Sequence, residues 1–203
     1  HMQFTYLKYD LFRYFYPDND VPDLTIWKII KIIILNQGIW AIALYRFRRW
    51  TQTECHSSVV RAALKPIGNI LQLLVEITTG IQIAPEVDIG PGFYIGHFGN
   101  IFIGGTTKIG KFVNVSQEVT IGYAGKGELW GQPDFIGDFV YIAPGAKVVG
   151  KVTIGNNVVI GTNSVVTKSI PENAVVFGVP ARILNYDSSK GFIRYNYERN
   201  KDI

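Results

Sequence analysis

The residue best suited to acid–base chemistry in this sequence is His97, the only histidine after residue 56. A neutral imidazole can accept and return a proton close to neutral pH, which is what a general base must do. The residue type alone leaves open whether His97 is such a base or an ordinary residue at a corner of the fold. His56 lies beside Cys55 in a polar stretch and is expected to be a surface residue.

Metal and disulfide chemistry lack the necessary side chains. A metal-dependent hydratase would need three histidines around zinc, and cysteine-rich zinc sites need several thiolates. The sequence offers one cysteine, Cys55, and a lone histidine after residue 56. We therefore expect no metal and no disulfide, and the single thiol indicates a reducing, cytoplasmic compartment.

The charge of the chain limits its partners. A net charge of +4 favours anionic partners, such as a phosphorylated cosubstrate or a lipid surface. The basic residues do not follow a recognisable nucleic-acid-binding motif, so no nucleic-acid partner is expected. A nucleotidyltransferase would need a glycine-rich phosphate loop before residue 80, and the sequence has none there.

The N-terminal region, residues 3–80, has apolar residues at helical spacing. Asp23 is suited to cap a first helix, Pro66 predicts an interruption in the last one, and Gly80 is expected to end the region. No membrane-spanning helix is expected over 29–45, because Lys31 and Asn36 interrupt the apolar run. Helices are predicted from Asp23 to about Ile34, over 39–50 and over 59–78.

From residue 81 to residue 185 the spacing changes to six. Thirteen β-branched aliphatic residues recur at this interval, with an offset of two residues after Ile95 and a loop over 123–135. They are Ile83, Ile89, Ile95, Ile103, Ile109, Val115, Ile121, Ile136, Ile142, Val148, Ile154, Ile160 and Val166. Such hexads predict a mainly β fold, a parallel β-helix whose coils stack these residues in one core, followed by a tail over 186–203.

Several strings resemble the hexapeptide-repeat acyltransferases, and within them the serine acetyltransferase branch. These are IAPEVDIGPGFYIGH ending at His97, IFIGG, VTIGYAGKG, GVPARI and, in the helical region, GIWAIALYRFRRW. The resemblance implies a left-handed β-helix, a homotrimer, and acetyl-CoA bound in the groove between neighbouring subunits. It also implies that His97 removes the proton of an acceptor hydroxyl, which then attacks the acetyl thioester.

Three departures from that family concern the acceptor. The aspartate that orients the family's histidine corresponds to Gln82, and a second aspartate corresponds to Gly96. The Arg-His pair that holds the carboxylate of serine corresponds to Gly131 and Gln132. A neutral amide at Gln82 can fix a tautomer, but it stabilises imidazolium poorly, so a catalytically weakened scaffold subunit stays an alternative.

These departures favour a saccharide acceptor over serine, with serine O-acetyl transfer as the alternative. The loop over 123–135 is expected to contact the acceptor, with Trp130 stacking on a sugar ring and Glu128 and Gln132 bonding to its hydroxyls. The other interpretation of Trp130 is packing against a neighbouring subunit.

The resemblance also assigns residues to acetyl-CoA, the expected cosubstrate. Ala143, Gly161 and Thr162 are expected along the pantetheine arm, where small residues and corner amides allow a close approach. Lys168 and Arg182 are cations that could meet the nucleotide phosphates, and for Lys168 a solvated surface position is an equal alternative.

Tryptophan and basic residues are mixed in the helical region, as Trp27 with Lys28 and Lys31 illustrates. That composition occurs in helices that lie on anionic lipid, and it also occurs in helices that pack between subunits. We favour packing, and keep peripheral association with the inner face of the membrane as the alternative.

Overall fold

The computed structural model describes residues 2–16, 25–126 and 130–193. Four helices precede the strands in these ranges: α1 (Met2–Phe15), α2 (Ile26–Leu35), α3 (Gln37–Thr53) and α4 (Ser58–Thr79). The predicted cap Asp23 lies outside the described residues, and α2 begins at Ile26 with Thr25 as its N-cap. Gly80 ends α4 in the left-handed conformation, as predicted.

Fifteen short strands follow in the described residues, and they wind as successive coils with three faces. The first sheet contains β1 (Ile81–Ile83), β4 (Ile101–Ile103), β7 (Thr120–Gly122), β10 (Lys147–Val149) and β13 (Val165–Val166). The second contains β2 (Asp88–Ile89), β5 (Lys108–Ile109), β8 (Phe135–Ile136) and β11 (Thr153–Ile154). The third contains β3 (Tyr94–Ile95), β6 (Asn114–Val115), β9 (Tyr141–Ile142), β12 (Val159–Ile160), β14 (Val175–Phe177) and β15 (Arg182–Asn185), and only the β14–β15 pairing is antiparallel.

The hexad residues form the core of this prism. All thirteen predicted positions are buried, with at most 3% of their surface exposed. Parallel pairing sets Ile83 beside Ile103 and Ile103 beside Ile121, so each coil stacks its aliphatic residues on those of the next. The six-residue spacing therefore predicted the core correctly.

The two-residue offset falls in the turn that carries His97. Six residues separate Ile95 from Phe102, whereas four separate Val115 from Thr120, the strand partner of Phe102. The longer turn closes through Gly99 and Asn100, which both have positive φ. The offset therefore marks a local bulge of the coil at the position of the histidine.

Helices α1 and α3 close the first coil, whose strands would otherwise leave backbone groups unpaired at an open edge. Tyr45 Oη donates to the carbonyl of Val87 and accepts from the amide of Ile89. Arg46 donates to the carbonyls of Ile89 and Gly90 and forms a buried ion pair with Asp10. Side chains of the helices thus replace the missing coil.

Helix α4 runs through Pro66 without the interruption predicted there. Pro66 removes one backbone hydrogen bond, but α4 packs along α3 in the turns that follow it. Gly68 packs against the Arg48 side chain, whose guanidinium donates to Gln72 and Asn69. The neighbouring turns are thereby fixed, and the helix continues.

The outward faces of α2 and α4 are apolar and exposed. In the described residues, α4 is long and apolar enough to span a bilayer by length and composition, and only 6% of that stretch is buried. Helices α2 and α3 satisfy the same criterion only as a pair bent by 85°, with Asn36 at the bend. Of the two residues predicted to interrupt the apolar run, Asn36 lies at this bend and Lys31 lies within α2.

Candidate functional site

His97 lies in the turn 96–100, at the corner where the third sheet leads into the first. We call the equivalent turns of successive coils, 96–100, 116–119, 143–146 and 161–164, the His97 corner. The His97 side chain is exposed, and no described residue forms a hydrogen bond or ion pair with its imidazole. The ring is therefore accessible to a substrate.

Two cavities meet at His97. One, of about 500 Å³, lies on the outer face of the third sheet and is lined by Tyr94, Gly96, Asn114, Ser116, Tyr141, Phe192 and Arg13 besides His97. The other, of about 230 Å³, lies between the turn 95–98 and the break between α2 and α3 at 35–38. A histidine between two cavities can contact two substrates, as a transferase requires.

Helix α1 fixes the strand that precedes His97. Tyr14 Oη donates to the carbonyl of Ile95 at 2.9 Å and accepts from its amide at 3.1 Å. Burial raises the pKa of Tyr14, so the phenol stays neutral and can donate. A Cβ on Gly38 would come within 2.6 Å of the Tyr14 hydroxyl and 2.8 Å of the Ile95 oxygen, so only glycine allows this approach.

Gln82, the residue predicted to orient His97, is placed elsewhere. It is exposed on the outer side of β1, beside Phe102, in a depression lined by Glu76, Gly80 and Asn100. That depression does not include His97. The structure therefore does not bring the two predicted catalytic side chains into one cavity.

Two amide residues near His97 were not found from the sequence. Asn114 lines the larger cavity, and Gln117 holds the position equivalent to His97 in the next coil. Asn114 Oδ1 and Gln117 Oε1 are buried, and neither accepts a hydrogen bond from any described group. The sequence signal would have been their spacing. Asn114 and Gln117 follow Tyr94 and His97 by twenty residues, the shift that superimposes these two coils.

The residues predicted for acetyl-CoA divide between two corners. Ala143, Gly161 and Thr162 lie at the His97 corner, two and three coils beyond the histidine. Arg182 is exposed on β15, opposite Phe177 of the same sheet. Lys168 is exposed in the turn after β13, which leads from the first sheet to the second.

Backbone hydrogen bonds at the His97 corner bear on the acetyl-CoA prediction. The backbone amides of Ala143 and Gly161 donate to the carbonyls of Ile160 and Val176, so they are used within the sheet. Gly161 also has a reason internal to the fold, because a Cβ there would lie 2.1 Å from the Phe177 ring. The small size of these residues leaves room for a ligand, and their contact with acetyl-CoA stays a prediction.

The loop predicted to contact the acceptor leaves the coil between the first and second sheets, away from the His97 corner. Trp130 is 58% exposed and stacks on Tyr123 at a centroid distance of 5.8 Å. Gln132 Nε2 donates to Thr106 Oγ1 at 2.5 Å, so this amide fastens the loop to the preceding coil. Glu128 lies outside the described residues.

No group of three histidine, cysteine, aspartate or glutamate side chains that could hold a metal occurs in the part of the chain that the structure describes.

The model of the family "Bacterial transferase hexapeptide (six repeats)" matches residues 135–168. This match covers the coils after the loop.

Curated relatives match a longer stretch. The chain is 41% identical over 161 residues to a serine acetyltransferase of Staphylococcus xylosus, covering 79% of this chain and 70% of that protein. It is 34% identical over 161 residues to a serine acetyltransferase of Bacillus pumilus, with the same coverage of 79% and 70%.

Solved structures agree with these relatives. A serine acetyltransferase in complex with CoA superimposes with a TM-score of 0.70 at 27% identity, over 90% of this chain and 69% of that one. A serine acetyltransferase in complex with cysteine gives 0.70 at 28% identity, over 90% and 70%. The coils described above are the left-handed β-helix of these proteins. The chain therefore belongs to the serine acetyltransferase family, the hexapeptide-repeat enzymes that transfer an acetyl group from acetyl-CoA to a hydroxyl oxygen.

Proposed function

We propose that this enzyme acetylates the hydroxyl of L-serine, with His97 as the general base. The observation that carries the proposal is the 41% identity over 161 residues to a protein named serine acetyltransferase. The comparisons favour serine, which was the alternative acceptor in the sequence analysis, over the saccharide preferred there.

His97 performs one proton transfer in each direction. Its imidazole takes the proton of the acceptor hydroxyl while the oxygen bonds to the acetyl carbonyl carbon. The carbon–sulfur bond of the thioester breaks, and the imidazolium returns the proton to the sulfur of CoA. An exposed imidazole between two cavities suits this step, because one cavity can hold the acceptor and the other the thioester.

We propose a homotrimer as the active form. Within one subunit, Trp130 and Lys168 belong to the corner between the first and second sheets, whereas His97, Ala143 and Gly161 belong to another corner. The two groups can form one site only if the first corner of one subunit lies against the His97 corner of a neighbour. The relative bound to CoA supports acetyl-CoA as the ligand of such a groove.

The subunit arrangement is measurable in solution. We expect light scattering to give three times the chain mass of 22.8 kDa. A stable monomer that binds acetyl-CoA would contradict a site shared between subunits. Co-sedimentation with anionic vesicles tests whether lipid or another subunit covers the apolar faces of α2 and α4.

A saccharide hydroxyl is the second candidate acceptor. Glycines at 96 and 131 and the engaged amide of Gln132 leave the charged groups of serine without the partners found in the family. Burying an unpaired carboxylate is unfavourable, whereas a sugar brings neutral hydroxyls. The exposed ring of Trp130 also offers a surface on which a sugar can stack.

A comparison of acceptors decides between the two. We expect a higher kcat/KM for L-serine than for free, nucleotide-linked or lipid-linked sugars, and no effect of Trp130→Ala on serine turnover. Sugar turnover that exceeds serine turnover and falls with Trp130→Ala would establish the second candidate. Absence of acetyl-CoA consumption with every acceptor would instead indicate the scaffold subunit.

A further inference from the structure

Asn114 is a buried polar residue on the outer face of the third sheet. It is the first residue of β6, and its neighbour Val115 points into the core with 1% of its surface exposed. Because side chains alternate along a strand, Asn114 points to the outer face of the third sheet. There it lies in register between Tyr94 of the preceding coil and Tyr141 of the next.

The carbonyl oxygen of the Asn114 side chain lacks a partner. The residue is only 8% exposed, and Oδ1 is buried and accepts no hydrogen bond from any described group. A buried acceptor without a donor destabilises a protein, because the oxygen loses its hydrogen bonds to water on folding and gains none in return. Two coils further on, the equivalent position is Val159, so the sheet accepts an apolar side chain in this row.

The missing donor can come from a ligand. Asn114 and His97 line the same cavity of about 500 Å³ on the outer face of the third sheet. A space of this volume accommodates a small polar molecule. An amide oxygen accepts hydrogen bonds only from N–H or O–H groups. The acetyl thioester group itself has neither, and the first N–H of the pantetheine arm lies two carbons beyond its sulfur. A hydroxyl acceptor brings a hydroxyl to the reacting atoms and, in an amino acid, an ammonium group as well.

We propose that the cavity on the outer face of the third sheet is the acceptor pocket, and that Asn114 Oδ1 accepts a hydrogen bond from the acceptor beside His97. This inference rests on the proposed acetyl transfer but not on the identity of the acceptor. It moves acceptor recognition from the loop over 123–135 to the third sheet. The N–H or O–H group that meets Asn114 belongs to the molecule whose hydroxyl faces the imidazole.

The test uses three variants, of which Asn114→Val and Thr107→Val each remove a buried, unpartnered polar atom. Asn114→Val introduces the side chain found at position 159, and Asn114→Asp keeps an acceptor oxygen in place. The control is Thr107→Val, because Thr107 Oγ1 is also buried without a partner but does not line the cavity. Both valine variants are expected to keep or raise the Tm.

Only the variants of Asn114 should change acceptor kinetics. We expect Asn114→Val to raise the acceptor KM about tenfold, the effect of one lost hydrogen bond to a ligand, with the KM for acetyl-CoA unchanged. Asn114→Asp should bind the acceptor within about threefold of wild type, as its oxygen still accepts. Calorimetric binding of the acceptor to wild type and Asn114→Val should show the same loss without turnover.

An unchanged acceptor KM in Asn114→Val, or an equal change in Thr107→Val, would overturn the role of Asn114 and leave the acetyl transfer intact. A wild-type protein that neither acetylates nor binds any hydroxyl acceptor would instead refute the proposed function, and this inference with it.

Discussion

Replacing His97 with alanine is expected to lower the rate of acetyl transfer by about 10²–10⁴-fold, the usual contribution of a general base. The free energy of unfolding should not change, because the side chain is exposed and makes no hydrogen bond or ion pair with a described residue. The binding of acetyl-CoA should also persist, since the imidazole is assigned to proton transfer and not to holding the cosubstrate.

The measurement is the rate of CoA release at saturating acceptor, with acetyl-CoA affinity measured separately. His56→Ala is the matched control, because His56 is exposed in the link between α3 and α4, away from both cavities at His97. Activity above about a tenth of wild type in His97→Ala would argue against a base at this position, given that range of factors.

The core of the β-helix could be predicted from the sequence because each coil repeats the same local choice. Every sixth residue points into the core from the next face of the coil and stacks on the equivalent residue of the preceding coil, so the burial of Ile103, Ile109 and Val115 could be predicted without knowledge of any other contact. The two-residue offset after Ile95 was visible for the same reason, and the structure places it in the turn of His97.

The contacts of outward-facing side chains were harder to predict. Gln82 was chosen as a partner of His97 by correspondence with the family, but the coil turns it outward on β1, beside Phe102. Gln117 and Asn114 lie one coil beyond the histidine, and nothing in the hexad pattern marks the chemistry of outward positions. Outward side chains are free of the packing constraint that makes inward ones predictable.

The ion pair between Asp10 and Arg46 was also invisible in the sequence, because its partners lie on separate helices and act on a third element. Asp10 Oδ1 accepts from the amide of Phe93, 83 residues away in the chain. Arg46 reaches the carbonyls of Ile89 and Gly90 across 43 and 44 residues. No local sequence pattern predicts that side chains of α1 and α3 will bond to the backbone of the first coil, where a preceding coil would otherwise do so.

Asp10→Ala is therefore expected to lower the free energy of unfolding by about 3–5 kcal/mol, the usual effect of removing one partner of a buried ion pair. Asp10 and Arg46 have 0% of their surface exposed, and Arg46 Nε lies 2.8 Å from Asp10 Oδ2. Without the carboxylate, the guanidinium would stay buried with an uncompensated charge, and the Phe93 amide would lose its acceptor.

The partly exposed pair of Arg49 and Asp88 provides the control, since its atoms are 3.5 Å apart and the side chains are 18% and 48% exposed. Asp88→Ala should cost at most about 1 kcal/mol, because water screens such a pair. The measurement is urea unfolding of the wild type, Asp10→Ala and Asp88→Ala at one fixed protein concentration, because the contribution of subunit association depends on that concentration. Equal losses in Asp10→Ala and Asp88→Ala would mean that the helices do not depend on the buried pair to close the first coil. If Asp10→Ala loses more unfolding free energy than Asp88→Ala, the strand that leads to His97 should also be held less firmly, because the Phe93 amide bonds to Asp10 and the Ile95 amide to Tyr14 of the same helix. His97 would then be placed less accurately, and we expect Asp10→Ala to lower kcat more than it raises KM.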